Sequence, residues 1–264
     1  MNYKAIYSAQ NNELKHLSKL ISQSRYRQKN QMAVLEGIHL IETFLQAGHS
    51  LHKLYLPAER LTQSAIVGLT KCVSSDKIVL VTESLLSRIS DLTDSTEPIA
   101  MVAINQAQHH DLDQDTVILE RVQDPGNVGT ILRSALAAGI KHIILSKDCC
   151  DVWSPKVLRS AMGAHAYLHI YTSENLALWL KNYPHQLYAT ALSPKAANLY
   201  SLDLTLPTGW LFGNEGQGLS AQMLEIVSQH VMIPMAGQTE SLNVAMAATV
   251  CLFEQLRQRI AADK

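Results

Sequence analysis

Residues 116–139 read TVILERVQDPGNVGTILRSALAAG and predict one strand followed by one helix. The apolar run from Thr116 to Val122 has the length and composition of a buried strand. A turn at Asp124-Pro125-Gly126 follows, and a helical pattern then extends from about Asn127 to Ala138, where Gly139 ends it. A buried strand that leads directly into a helix is typical of a parallel α/β sheet.

The same alternation continues downstream. Further strands are predicted at His142–Leu145 and at Gln186–Leu192. Between them, Ser154-Pro155 supplies an N-cap and a first-turn proline for a helix through Met162, and Ser173 is predicted to cap a helix through Leu180. Strands that alternate with helices predict a parallel sheet covered on both faces, so the predicted fold class is α/β.

A polar, non-periodic segment at residues 105–115 separates this region from the N-terminal part of the chain. We therefore predict two domains, residues 1–110 and residues 111–264. The N-terminal part combines a helical pattern at Ile38–Gln46 with β-rich runs at Lys53–Leu56 and Ile78–Val81, which predicts a small α/β module. His39, His49 and His52 have no acidic partner at a catalytic spacing, so this module is predicted to serve recognition rather than catalysis.

The 264 residues carry a net charge of −1, which by itself indicates no polyanionic partner. The charges are unevenly distributed, however: residues 1–110 hold 11 basic and 9 acidic side chains, whereas residues 111–264 hold 11 and 14. Residues 1–30 alone contain six basic side chains and one acidic side chain, Glu13. This segment fits contact with RNA phosphates about as well as it fits a solvated helix face.

Composition disfavours several other classes of protein. The longest nearly apolar run, Leu242–Phe253, is too short to cross a bilayer, and the N-terminus lacks the apolar segment of a secretory signal. We therefore expect a cytoplasmic protein with no membrane partner. The four cysteines match neither a disulfide framework nor a zinc-site spacing, and no metal is predicted.

Two loops that follow predicted strands carry unusual chemistry, and in parallel sheets such loops form the ligand site. The first, residues 123–133, places Asn127 at a helix start and Arg133 later on the same helix; alone, it also fits a plain helix cap and a surface arginine. The second, which we call the glycine loop, is residues 213–219; it directly follows a strand predicted at Trp210–Phe212 and has three glycines in six residues. Neither a phosphate-loop lysine nor a dinucleotide fingerprint accompanies these glycines, which disfavours NTPase and dehydrogenase functions.

A third loop, residues 231–243, runs from a short predicted strand to the start of a helix. Ser241 is compatible with a simple N-cap for that helix. Asn243 in the first turn is less ordinary, because asparagine is a poor helix former. Each of the three loops is compatible with caps and turns, so only their combination indicates a function.

Taken together and in this order, the three loops resemble the three sequence motifs of the SpoU (TrmH-like) branch of the SPOUT RNA methyltransferases, and the resemblance covers residues 116–264. The N-terminal part resembles the small substrate-binding domain, similar to ribosomal protein L30e, that many members carry. The resemblance implies a deep trefoil knot in the catalytic domain, a homodimer, and S-adenosylmethionine as cofactor. It also implies that Gly213, Ile233 and Leu242 contact this cofactor through their backbones.

The resemblance further implies methyl transfer to a ribose 2′-hydroxyl of RNA. The five polar positions that match the family motifs are all present: Asn127, Arg133, Glu215, Ser241 and Asn243. In the family the position of Arg133 is assigned to activation of the 2′-hydroxyl, and a phosphate-orienting role is equally open because an arginine is normally protonated. Asn127 is expected to position Arg133 or the RNA, Glu215 to brace the glycine loop, and Ser241 with Asn243 to organise the catalytic pocket.

The expected substrate is ribosomal RNA of the 23S type, because the family often uses this layout, with a basic start to the accessory module, for large-subunit rRNA. The same reaction on tRNA is the first alternative. A non-catalytic RNA-binding or ribosome-assembly protein on the same scaffold is the second. It ranks lower, because such a protein would be expected to lack Arg133 or the glycine loop, and both are present.

Overall fold

The structure is a computed structural model that describes residues 3–91, 95–104, 112–193, 195–227, 229–239 and 241–262. It divides into two compact units, Met1–Asn105 with Trp153–Ala166, and Gln106–Val152 with Tyr167–Lys264. Most of the predicted linker, residues 105–111, lies outside the described residues. The boundary between residues 110 and 111 therefore stays a prediction.

The first unit contains a mixed sheet with helices packed on it. Its strands are β1 (Lys4–Ile6), β2 (Met32–Glu36), β3 (Leu51–Pro57), β4 (Ile78–Val81) and β5 (Ile99–Ala103), and its first helices are α1 (Asn12–Ser22), α2 (Ser24–Asn30), α3 (Ile38–Gln46), α4 (Ser64–Cys72) and α5 (Glu83–Ile89). The strand order is β1-β4-β3-β5-β2. The first three are parallel, whereas β5 runs antiparallel to both of its neighbours. The predicted small α/β module is confirmed.

The second unit is built on a seven-stranded sheet in which every pairing is parallel. Its strands are β6 (Thr116–Leu119), β7 (His142–Ser146), β8 (His169–Ser173), β9 (Gln186–Thr190), β10 (Ala197–Asn198), β11 (Thr208–Phe212) and β12 (His230–Met232), and its helices are α6 (Pro125–Ala137), α8 (Leu176–Asn182), α9 (Ala221–Ile226) and α10 (Val244–Ala262). The strand order is β10-β12-β9-β11-β6-β7-β8. The predicted parallel α/β sheet is confirmed.

One predicted cap is wrong, and one cap that the sequence left open is now assigned. Ser173 ends strand β8, which the sequence did not predict, and Asn175 caps α8 by accepting the backbone N–H of Leu178 at 3.0 Å. The helix at the end of the third loop is capped by Asn243 and not by Ser241. Serine and asparagine are almost equally good N-caps, so residue type alone did not decide between them.

Helix α7 (Pro155–Ser160) follows β7 in the sequence but belongs to the first unit. Its Arg159 donates from Nη1 to the Glu36 carboxylate at 2.9 Å and from Nη2 to the Asp91 carboxylate at 3.1 Å. Only 1% of the Glu36 side chain is exposed, and it also accepts hydrogen bonds from the Ser90 hydroxyl and the Asp91 amide. This ion pair fastens a segment from the C-terminal half of the sequence to β2.

Replacing Arg159 with alanine is expected to destabilise the first unit by about 3–5 kcal/mol, because it leaves the buried Glu36 carboxylate without its cation. Urea unfolding of the purified protein measures this change. The double variant Glu36→Gln with Arg159→Ala also removes the unpaired Glu36 charge, so it should be more stable than Arg159→Ala alone. A double variant less stable than Arg159→Ala alone would contradict this explanation.

Within the described part of the chain, no helix is long and apolar enough to span a membrane. The same residues contain no group of three or more His, Cys, Asp or Glu side chains placed to hold a metal ion.

Candidate active site

The order of the second sheet brings the three chemically unusual loops together. Strands β12, β9, β11 and β6 lie side by side and run parallel. Parallel strands end at one edge of their sheet, so the loops that follow β6, β11 and β12 meet there. These are residues 123–133, the glycine loop and residues 231–243. Segments that are far apart in the sequence thus share one edge.

A cavity of about 430 Å³ opens at this edge. All three residues predicted to contact a cofactor line it: Gly213, Ile233 and Leu242. Glu215 and Ser241 also line it, and most of the remaining lining comes from apolar side chains and glycines. A volume in the range of roughly 300–1,000 Å³, with a few polar groups in an apolar wall, is typical of small-molecule sites.

Three of the predicted polar residues form what we call the polar bridge: Asn243, Asn127 and Glu215. The Asn243 amide donates from Nδ2 to Asn127 Oδ1 at 2.9 Å, and the Asn127 amide donates from Nδ2 to Glu215 Oε1 at 3.0 Å. The other end of Asn243, Oδ1, accepts the backbone N–H groups of Ala245 and Met246 at the start of α10. Because each amide has a donor side and an acceptor side, this arrangement fixes the orientation of both asparagines.

Glu215 also holds the first loop directly, since its carboxylate accepts the backbone N–H groups of Asp124 at 3.1 Å and Gln123 at 3.3 Å. Partial burial raises the pKa of this carboxyl, but hydrogen bonds from the Asn127 amide and from backbone amides outweigh that effect. The pKa of Glu215 therefore lies below its usual value. The carboxylate is ionised at neutral pH and ties the glycine loop to the first loop.

The lowered pKa of Glu215 predicts a pH-dependent contribution to stability. A carboxyl with a lower pKa in the folded state stabilises the fold above its unfolded pKa, about 4.3, and loses this contribution as the pH falls through its folded pKa. The difference in melting temperature between the protein and Glu215→Gln should be constant above about pH 5 and shrink toward about pH 3. Glu225→Gln, at an exposed carboxylate with no hydrogen bond or ion pair within the described residues, is the control and should show no such trend.

The structure does not bring every predicted residue into this network. Arg133 is exposed on α6, does not line the cavity, and has no hydrogen bond or ion pair with the described residues. Ser241 is exposed at the cavity and likewise has no hydrogen-bond partner within the described part of the chain. Both side chains are therefore free to meet a ligand.

Three positioning residues were not identified from the sequence: Glu120, Arg121 and Asn214. The Asn214 amide donates from Nδ2 to the Arg121 carbonyl at 2.9 Å, and its Oδ1 accepts two backbone N–H groups of the glycine loop at 3.0 Å. Glu120 accepts the Ser220 N–H at 2.8 Å, just beyond that loop. Arg121 has φ +56°, a conformation that is uncommon for arginine, and no sequence pattern marks it.

Solved structures with the same fold define the class of the protein. The SpoU methyltransferase AviRb from Streptomyces viridochromogenes, in complex with the cofactor AdoMet (S-adenosylmethionine), matches with a TM-score of 0.85 and 27% identity, over 96% of this chain and 99% of that one. The AdoMet-bound rRNA methyltransferase from Sinorhizobium meliloti matches with a TM-score of 0.83 and 28% identity, over 97% and 98% of the two chains. The fold and the site thus define a SPOUT-class α/β methyltransferase.

Sequence comparisons give the family. The SpoU rRNA Methylase family matches residues 114–253, and the MRM3-like substrate binding domain matches residues 11–100. An uncharacterized tRNA/rRNA methyltransferase from Synechocystis is 37% identical over 98% of this chain and 96% of its own length. The 23S rRNA (guanosine(2553)-2′-O)-methyltransferase RlmP from Bacillus subtilis is 31% identical over 95% and 98%. The chain belongs to the SpoU rRNA methylase family, which confirms the resemblance inferred from the three loops.

Proposed function

We propose that this protein transfers a methyl group from S-adenosylmethionine to a ribose 2′-hydroxyl of ribosomal RNA of the 23S type. The observation that carries the proposal is the polar bridge, which joins the three motif loops beside a cavity lined by Gly213, Ile233 and Leu242. The named activity of RlmP on 23S rRNA supports this choice of substrate.

The residues around the cavity fit S-adenosylmethionine. Within the described residues, the backbone groups of Gly213, Ile233 and Leu242 have no hydrogen-bond partner, so they are available to a polar ligand. Apolar side chains such as Leu192 and Leu242, which are 66% and 41% exposed, offer a surface for an adenine ring. The cavity therefore provides both the polar and the apolar contacts that this cofactor needs.

When bound, S-adenosylmethionine supplies an electrophilic methyl group, and the chain has to present the ribose oxygen to it. The polar bridge holds the loops in one arrangement, so little reorganisation is needed when the substrate binds. Among the described residues of the three motif loops, Arg133 is the only basic side chain, and it has no ion-pair partner there. Arginine side chains are normally cations, so Arg133 orients an adjacent phosphate and stabilises charge that develops on the 2′-oxygen as its proton passes to solvent water.

The proposal includes a homodimer in which the two copies pair through α10. Met246, Phe253 and Ile260 are 49%, 44% and 53% exposed, although α10 also carries a fully buried face. They are spaced seven residues apart and therefore lie on one face of the helix. An apolar stripe of this kind is typical of a helix that packs against another helix, and a second copy of the chain supplies an identical stripe.

Replacing Phe253 with aspartate is expected to convert the dimer into monomers, because it places a charge in the middle of this apolar stripe. Size-exclusion chromatography with light scattering at micromolar concentration measures the change in mass. Leu206→Asp is the matched control, since Leu206 is 71% exposed but lies outside α10. A wild-type protein that is monomeric in this measurement would contradict the dimer.

The proposal includes two domains, residues 1–110 for RNA binding and residues 111–264 for catalysis, with a deep trefoil knot in the second. The two family matches, residues 11–100 and residues 114–253, lie on either side of the proposed boundary and support it. For the knot, the support is the match to SPOUT-class structures over nearly the whole chain. Action on rRNA would place the protein in the cytoplasm.

The test is a map of ribose methylations across rRNA and tRNA in cells with and without the gene. One 2′-O-methyl site in 23S rRNA should disappear with the gene and return with the wild-type copy. Loss of a tRNA site instead would overturn the choice of substrate, and no change at any site would overturn the enzymatic proposal.

A further inference from the structure

The structure divides the six basic side chains of residues 1–30 into two sets. Lys4 pairs with Glu13, which also accepts a hydrogen bond from the Tyr55 hydroxyl at 3.2 Å. Arg27 is buried, and its Nη1 donates to two backbone carbonyl oxygens at the end of α1, at 2.6 and 2.8 Å. These two cations therefore serve the fold, and the only acidic side chain of the segment is already engaged.

The other four cations form what we call the basic ridge: Lys15, Lys19, Arg25 and Lys29. All four side chains are exposed, and none has an acidic partner within the described residues. Unpaired lysines and arginines on a surface attract a polyanion, since binding releases the counterions around it. The ridge is thus a concentrated positive surface on a protein whose net charge is −1.

The ridge is continuous across two helices. Lys15 and Lys19 lie one turn apart on α1, and Arg25 and Lys29 lie one turn apart on α2, so each pair projects from one side of its helix. The Lys19 ammonium lies 5.6 Å from the centre of the Tyr26 ring on α2, which joins the two pairs. Four residues rise about 6 Å along the helix axis, a spacing comparable with that of neighbouring phosphates of one strand.

The groups around the ridge favour backbone contact over base stacking. The Tyr26 ring already contacts the Lys19 ammonium and the His16 ring, and its hydroxyl lies 2.8 Å from His16 Nδ1. Burial, followed by the nearby charge of His52, lowers the pKa of His16, so this ring stays neutral at pH 7. The buried guanidinium of Arg27 ties α2 to the end of α1, so the four cations are presented by a fixed pair of helices.

A membrane surface fits the ridge less well than RNA does. A helix that binds an interface needs a free apolar face beside its basic one. The apolar face of α1 is buried against the first sheet, through residues such as Leu14, Leu17 and Leu20. No large apolar side chain of α1 or α2 is exposed.

We propose that the basic ridge binds the sugar–phosphate backbone of the RNA substrate without reading its sequence. The inference rests on the proposed function, because it takes RNA to be the substrate. To that function it adds the surface that holds the RNA. This surface attracts the RNA by its charge and does not recognise the bases. Selection of the methylated nucleotide then falls to other parts of the molecule.

The experiment measures binding of in vitro transcribed 23S rRNA at KCl concentrations between about 50 and 200 mM. The four glutamine variants each remove one ridge cation: Lys15→Gln, Lys19→Gln, Arg25→Gln and Lys29→Gln. Each should reduce the slope of log K against log salt by about 0.7–0.9 and weaken binding about fivefold at 0.1 M salt. Lys71→Gln is the matched control, since Lys71 is an exposed lysine on α4, which packs with α3.

Methyl transfer at saturating RNA should keep its wild-type kcat in all four variants, because the ridge is not part of the candidate active site. The proposal would be overturned if the four variants left the slope unchanged. It would also be overturned if Lys71→Gln lost as much RNA affinity as the four ridge variants. Ridge variants that lose binding to anionic vesicles but keep their RNA affinity would overturn it as well. If the methylation map identifies a tRNA as the substrate, the choice of rRNA has failed. The same salt slopes, measured with that tRNA, then test whether the ridge binds RNA.

Discussion

Replacing Arg133 with alanine is expected to lower the rate of methyl transfer by about a thousandfold while leaving cofactor affinity unchanged. The guanidinium is exposed, does not line the cavity and holds no other described residue, so its removal breaks no contact within the protein. Its contribution should appear only with RNA bound, when charge develops on the 2′-oxygen. Transfer of a labelled methyl group measures the rate, and calorimetry with S-adenosylhomocysteine measures cofactor affinity.

Two further variants separate charge from geometry at this position. Arg133→Lys keeps the positive charge but loses the planar fork that matches a phosphate, so it should recover part of the rate. Lys141→Ala removes an exposed cation outside the three motif loops and should leave the rate within about twofold of wild type. If Arg133→Ala abolishes cofactor binding, or leaves methyl transfer intact, the separation of RNA-facing and cofactor-facing loops is wrong.

The sequence predicted the elements that depend on local chemistry. The turn at Asp124-Pro125-Gly126 and Gly139 after the last turn mark α6, and the helix begins at Pro125 and ends at Ala137, within two residues of the prediction. The apolar run after Asp115 marks β6 in the same way, although the strand ends at Leu119 and not at Val122. A parallel sheet then requires the loops at its carboxyl edge to meet, which is why the site could be located without a structure.

The remaining features depend on partners that are far apart in the sequence. The Asn127 amide nitrogen donates to Glu215, which lies 88 residues further along the chain. The Asn127 amide oxygen accepts from Asn243, which lies 116 residues further along. Arg159 forms an ion pair with Glu36, which lies 123 residues earlier in the chain, so the sequence could not show that α7 belongs to the first unit. Hydrophobic periodicity and turn propensities describe neighbours within about one or two helical turns, and they carry no information about such pairs.

The polar bridge explains why Asn243, rather than Ser241, caps α10. A serine hydroxyl can also accept and donate, but it does so from a single atom, whereas an amide accepts with its oxygen and donates with its nitrogen, so one asparagine can join two segments that lie further apart. Asn243 caps the helix through Oδ1 and reaches Asn127 through Nδ2, so the start of α10 is tied to the start of α6. The helix cap and the assembly of the site are therefore one structural feature.

Replacing Leu242 with tryptophan is expected to weaken cofactor binding by about a hundredfold while leaving RNA affinity unchanged. Leu242 is 41% exposed and lines the cavity, so an indole at this position can fold into the space that the cofactor would occupy. Displacing that ring would expose its apolar surface again, at a cost of about 3 kcal/mol, which corresponds to roughly two orders of magnitude in affinity. Calorimetry with S-adenosylhomocysteine measures the loss.

Leu206→Trp is the matched control, because Leu206 is 71% exposed in the same unit but does not line the cavity. It should bind S-adenosylhomocysteine as the wild type does. Together with Arg133→Ala, the Leu242→Trp variant makes the two halves of the site separable: one loses the cofactor and keeps RNA, and the other keeps the cofactor and loses catalysis. Normal cofactor affinity in Leu242→Trp would show that the methyl donor binds elsewhere than in this cavity.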